Sequence, residues 1–120
     1  MAKLSEEAKK IISEVRPAQV ATVDKRGRPN VSPRGSFRVL DDEHVIFAEA
    51  GRVYTLANLR ENPQVSAIFF NPATRQGCRI WGKAEILESG KEFDTMSAAF
   101  IARMQVKCVV KVAVEEVVTF

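Results

Sequence analysis

Apolar positions in the first sixteen residues recur at three-to-four spacing. Leu4, Ala8, Ile11, Ile12 and Val15 share one face, Ser5 stands where an N-cap belongs, Glu6 and Glu7 fill the first turn, and Pro17 ends the run. This predicts an amphipathic N-terminal helix. Beyond it the period shortens. Ala18 to Val23 and the stretch from Asn30 to Ser32 are extended and separated by the turn "DKRGRP", which predicts a hairpin. "SFRV" and "HVIFAEA" flank the turn "LDDE" as a second hairpin. Val53 to Pro63 carries Leu56 and Leu59 at helical spacing and stops at Asn62-Pro63. Val65 to Phe70 is apolar at both parities, so a central strand covered on both faces is expected. Cys78 to Leu87 is a long strand with Gly82 as a bend or bulge. Ser89 and Glu92 form a capping-box pattern ahead of the stripe Phe93, Met96, Phe100 and Met104, which predicts a third helix, and the β-branched tail after Lys107 reads as a last strand. About six mostly antiparallel strands with three helices predict a mainly β protein with a closed or nearly closed barrel.

The chain has 120 residues, 46% hydrophobic and 28% charged, which fits a single domain over 1–120, with a helix in 1–16 and the barrel in 18–120. A core this small gains from a partner subunit or a bound cofactor. The net charge of +3 is spread among alternating signs, with no basic stripe interleaved with aromatics, so nucleic acid is a poor partner and a small anion a better one. Cys78 and Cys108 stand far apart and the one histidine, His44, lies in an acidic turn, so no zinc site or cysteine nucleophile is legible. The charged N-terminus lacks a signal-peptide core and no apolar run reaches membrane length; a cytoplasmic protein is expected.

Two stretches carry candidate chemistry. "SPRGS", Ser32 to Ser36, interrupts an extended run with a proline, a cation, a glycine and two hydroxyls. A phosphate needs such donors, and glycine admits close backbone approach, yet a bulged strand with an exposed arginine explains the stretch more simply when it is taken alone. "GRVYTLAN" places Arg52, Tyr54 and Thr55 at a helix start, where free N–H groups favour anions, or where an ordinary helix entry leaves Tyr54 on the surface. Trp81 reads as core before it reads as a stacking platform.

In order and spacing, "ATVDKRGRPNVSP", "RVLDDEHVIFAEA", "YTLANLRENPQVSAIFF" and "CRIWGKAEIL" resemble the pyridoxamine 5′-phosphate oxidase-like FMN-binding split barrels, above all their short single-domain members. The resemblance runs from about Ala18 to the end and implies an antiparallel split β-barrel, a homodimer and FMN in a cleft at the dimer interface. It implies that Val31, Ser32, Pro33, Arg34, Gly35 and Ser36, together with Arg52, Tyr54, Thr55 and Asn58, hold the phosphate and ribityl chain. Arg34 pairs with the phosphate and the serines donate to it. The ring would run along Phe47 to Ala50, past Ala48 and Glu49. Relatives place Lys or Arg where this chain has Tyr54 and Thr55, so either the cationic role passes to Arg34 or Arg52 or the phosphate is held more weakly. The chain lacks the C-terminal substrate-gripping segment of true pyridoxamine 5′-phosphate oxidases, so that activity is not expected. The resemblance implies instead an FMN protein serving as an oxidoreductase or electron carrier for a small partner. The alternative is a non-enzymatic binder of a flavin, haem or another ligand in the same cleft.

Overall fold

The computed structural model describes residues 2–51 and 53–120, and of residue 53 the backbone alone. Its elements in chain order are α1 (Glu6–Glu14), β1 (Ala18–Val23), β2 (Pro29–Arg34), β3 (Arg38–Asp41), β4 (His44–Glu49), α2 (Val53–Glu61), β5 (Gln64–Asn71), β6 (Gln76–Leu87), α3 (Lys91–Phe100) and β7 (Cys108–Thr119). Seven strands form, two from each expected hairpin and three singly, against the count of about six.

The strands make one sheet in the order β2-β1-β5-β6-β7-β4-β3, with every pairing antiparallel. β2 and β3 lie at opposite ends of this order yet are joined by Gly35, Ser36 and Phe37 alone. So short a link spans at most about 14 Å, so the sheet must curl until its two edges face each other. They face without pairing. The result is a barrel split along one seam, and both predicted site stretches border that seam.

α1 starts as expected: Ser5 Oγ accepts from Ala8 N–H at 3.1 Å, and Ala8, Ile11 and Ile12 are buried. The helix packs on β3, β5, β6 and β7 and closes one end of the barrel. Inside, Phe37 of the link packs tilted against Phe47 and edge-on against Phe69, at centroid distances of 4.6 and 5.0 Å, joined by Val20, Ile80, Val110 and Val112. A second, smaller core forms outside the barrel, where Met96 and Phe100 of α3 meet Ile46 and Ala48 of β4 and Val109 of β7.

Three expectations are corrected by this arrangement. The strand covered on both faces is β4, because α3 lies over its outer side; β5 has one face buried and leaves Phe70 exposed. α3 begins at Lys91 with Gly90, not Ser89, as its N-cap, and it ends before Met104. Gly90 takes φ +99°, a conformation that suits glycine and displaces the serine from the cap. Trp81 is half-buried on the outer face, with the Arg79 guanidinium 5.9 Å from its ring centroid.

Gly82 sits where the β6–β7 register shifts, as the sequence suggested. A Cβ there would lie 2.4 Å from the Ala113 carbonyl oxygen, so only glycine lets β7 pass at this point. Among the described residues no helix is long and apolar enough to cross a membrane.

Candidate functional site

β2 is an edge strand, and its alternate residues Asn30, Ser32 and Arg34 stand opposite Thr22, Val20 and Ala18 of β1. Those β1 residues are buried, so the polar row of β2 turns toward the barrel side while Val31 and Pro33 face outward. Apolar side chains would ordinarily fill such a row. Here α2 crosses the same region and answers it with polar groups of its own. Asn58 donates to Thr22 Oγ1 at 3.1 Å, and both residues are buried. Asn30 donates to Ser32 Oγ at 3.2 Å.

Arg34 is the centre of this cluster. Its Nε donates to Glu49 Oε1 at 2.5 Å, its Nη2 to Thr55 Oγ1 at 3.1 Å and its Nη1 to the Pro33 carbonyl at 2.7 Å. Glu49 ends β4 with its side chain wholly buried, whereas 12% of the Arg34 side chain reaches solvent. A buried carboxylate requires such a partner. Its other oxygen, Oε2, is buried with no hydrogen-bond partner among the described residues. Cys108, opposite Glu49 on β7, has its thiol pushed up by burial and then by the charge of Glu49.

The serines divide. Ser32 stays at the seam, half-buried. Ser36 is buried, and its hydroxyl accepts from Ala48 N–H at 2.9 Å and donates to the Ala48 carbonyl at 3.2 Å. β3 pairs with β4 only as far as Ile46, so Ser36 covers the backbone edge that β3 leaves open at Ala48. Gly35 is exposed, and a Cβ on it would meet nothing within 4 Å. Arg16 spans the same link, donating to the carbonyls of Gly35 and Phe37 at 3.2 and 3.3 Å.

Of the predicted residues, Ser32, Arg34, Glu49, Thr55 and Asn58 converge on one polar cluster, with Val31, Pro33, Gly35 and Tyr54 at its open rim. Tyr54 is 73% exposed. Arg52, the other predicted cation, lies outside the described residues. Ser36 and Ala48 bond to each other, and Phe47 points into the main core. Sequence reasoning missed Arg28, Asn30 and Asp24, which with Arg26, Pro29, Tyr54 and Asn58 line a cavity of about 250 Å³ beside the cluster. Asp24 orders that turn. Its Oδ1 accepts from the backbone N–H groups of Arg26 and Arg28, which hold its carboxyl below the usual range, the Arg28 bond most of all. The turn itself was expected from "DKRGRP", and Asp24 is the acceptor that builds it.

The donor set fits a hydroxyl-bearing chain. Among the described residues the cluster's own cation, Arg34, is already committed to Glu49, while Arg26 and Arg28 line the adjoining cavity.

A barrel split at one seam, with a polar cluster where a helix crosses it, defines the split-barrel fold. Within that fold the chain belongs to the pyridoxamine 5′-phosphate oxidase family, whose pattern matches residues 4–119. Among solved structures it is similar to HupZ of Group A Streptococcus, with 31% identity over 97% of this chain and 93% of that one and a TM-score of 0.89. HutZ of Vibrio cholerae, described as a haem storage protein, shares 26% identity over 98% and 94% of the two chains with a TM-score of 0.72. An FMN-binding protein of Syntrophomonas wolfei subsp. wolfei has the same fold at 19% identity, with a TM-score of 0.87 over 97% and 85%. No curated protein is matched by the sequence.

Proposed function

We propose that this protein binds a flavin at the seam between β2, the end of β4 and α2, and passes electrons or hydride to a small partner. The observation that carries this reading is the convergence of Ser32, Arg34, Thr55 and Asn58 on the open side of the barrel. A bound flavin would supply the redox chemistry. The chain's residues bind and orient: Ser32, Thr55 and Asn58 bring hydroxyl and amide groups, while Tyr54 and Val31 bring exposed apolar surface.

The adjoining cavity of about 250 Å³ falls below the ~300–1,000 Å³ of ordinary ligand sites, and a second copy of the chain would enlarge the cleft. Phe70 of β5, Val118 of β7 and Phe120 just beyond it lie exposed on the outer face of the sheet, with Phe70 and Phe120 stacked at 6.4 Å, and add apolar surface for contact between copies. Titration with FMN and with riboflavin, followed by quenching of flavin fluorescence, tests the reading, and sedimentation at tens of micromolar tests the dimer. The absence of saturable quenching with either flavin removes the first, and a monomer with and without flavin removes the second.

A second reading, haem binding, is favoured by the likeness to HutZ. Its one imidazole is His44, at the β3–β4 turn with Nδ1 2.8 Å from Asp41 Oδ1, on a different part of the surface from the α2 cluster. Haemin titration of wild type and His44→Ala separates the two readings. A Soret band lost on substitution supports haem ligation by this residue.

A further inference from the structure

The Arg34–Glu49 pair bears on which flavin the seam accepts. All three guanidinium nitrogens of Arg34 have partners within the chain, on Glu49, Thr55 and Pro33. Glu49 in turn depends on Arg34, because one carboxylate oxygen bonds to Nε and the other has no donor among the described residues. A ligand phosphate that drew Arg34 outward would leave that carboxylate buried with neither oxygen paired. A phosphate that left Arg34 in place would meet a pair with no net charge, with the carboxylate close behind the cation. Both routes penalise a dianion. Neither penalises a hydroxyl, which can donate as well as accept.

We propose that Glu49 is an internal counter-anion that occupies Arg34 and sets this subsite against phosphate, so that the protein prefers a flavin ending in a hydroxyl group over one ending in a phosphate. The proposal rests on the flavin reading of the seam and makes Glu49 a residue that determines specificity. The Thr55 hydroxyl in the first turn of α2 is itself held by Arg34.

The experiment measures dissociation constants of the full chain for FMN and riboflavin, in wild type and in Glu49→Gln. The wild type is expected to bind riboflavin at least as tightly as FMN. Glu49→Gln removes the internal anion and leaves the Arg34 charge uncompensated, so FMN should tighten about 10- to 100-fold while riboflavin changes less than about threefold; that gain corresponds to ~1.4–2.7 kcal/mol. Raising the salt should erode the new FMN advantage. A wild type that binds FMN tenfold or more tighter than riboflavin overturns the proposal whether or not the variant folds. An unchanged FMN-to-riboflavin ratio in folded Glu49→Gln overturns it too.

Inorganic phosphate, followed by its effect on thermal unfolding, separates failure of the flavin reading from failure of this one. If neither flavin binds but phosphate stabilises Glu49→Gln and not the wild type, the flavin reading falls and the role of Glu49 stands. If phosphate stabilises both equally, Glu49 does not guard the subsite.

Discussion

Removing Arg34 should damage the fold more than removing its partner, and the asymmetry is the informative quantity. Glu49 is wholly enclosed and has a single donor among the described residues, whereas the Arg34 side chain is 12% exposed and keeps Thr55 and the Pro33 carbonyl when the carboxylate is gone. Arg34→Met therefore leaves a buried charge without compensation, at a cost of about 3–5 kcal/mol. Glu49→Gln retains an amide oxygen that can accept from Nε and leaves a cation partly in water, so about 1–3 kcal/mol is expected. In the double variant Arg34→Met/Glu49→Gln no charge is stranded. It should lie within ~1–3 kcal/mol of wild type, well short of the sum of the two single losses, giving a coupling of roughly 3 kcal/mol. Urea unfolding at one fixed protein concentration, followed by the fluorescence of Trp81 and by circular dichroism, measures all four proteins. Two single losses that simply add, or an Arg34→Met protein within about 1 kcal/mol of wild type, would refute the reasoning.

The same geometry sets expectations elsewhere in the chain. Ser36→Ala strands the buried N–H and carbonyl of Ala48 and should cost about 2–4 kcal/mol in urea unfolding, with little change in flavin affinity if the hydroxyl serves the fold alone. Gly82→Ala forces a Cβ to within 2.4 Å of the Ala113 oxygen and should cost at least ~1–3 kcal/mol, whereas Gly35→Ala, with open space around it, should unfold within ~0.5 kcal/mol of wild type. Burial pushes the Cys78 thiol up to about 11, from an ordinary 9.0, so its reaction with a disulfide reagent should stay slow through pH 9. The unfolded thiol ionises first. Stability from this group is therefore full below pH 9 and is lost between pH 9 and 11, by up to about 2–3 kcal/mol, which unfolding at stepped pH would read.

Periodicity reported the elements well because each answers to a local cause. Ser5 and the 4-8-11-12 stripe define α1, the Asp24–Gly27 turn defines the first hairpin, and Gly82 marks the bulge. What local pattern could not report was which faces would be covered. Val65 to Phe70 is as apolar as a fully enclosed strand, yet the helix that encloses a second sheet face packs on β4, and nothing within either strand states where α3 will land. The Ser89–Glu92 pattern failed for a related reason: Gly90, lying between them, takes the cap position through a backbone angle that no capping rule based on side chains registers.

The site followed the same division. Its members were legible as residue types, since "SPRGS" and the α2 entrance are unusual in a chain of alternating strands, but their partners were not. Glu49 belongs to "HVIFAEA", otherwise a run of apolar residues and one histidine, and a carboxylate at the end of a strand covered on both faces has to find a cation. Fifteen residues separate it from Arg34 in sequence, and only closure of the barrel brings the two to 2.5 Å. The arginine that the local pattern offered to a ligand is thus the arginine that the fold needs for itself. A cation beside a glycine and two hydroxyls is evidence for an anion site only when no internal carboxylate lies within reach, and in a barrel that condition is decided by strand order, which here sets β2 and β4 on opposite sides of the seam.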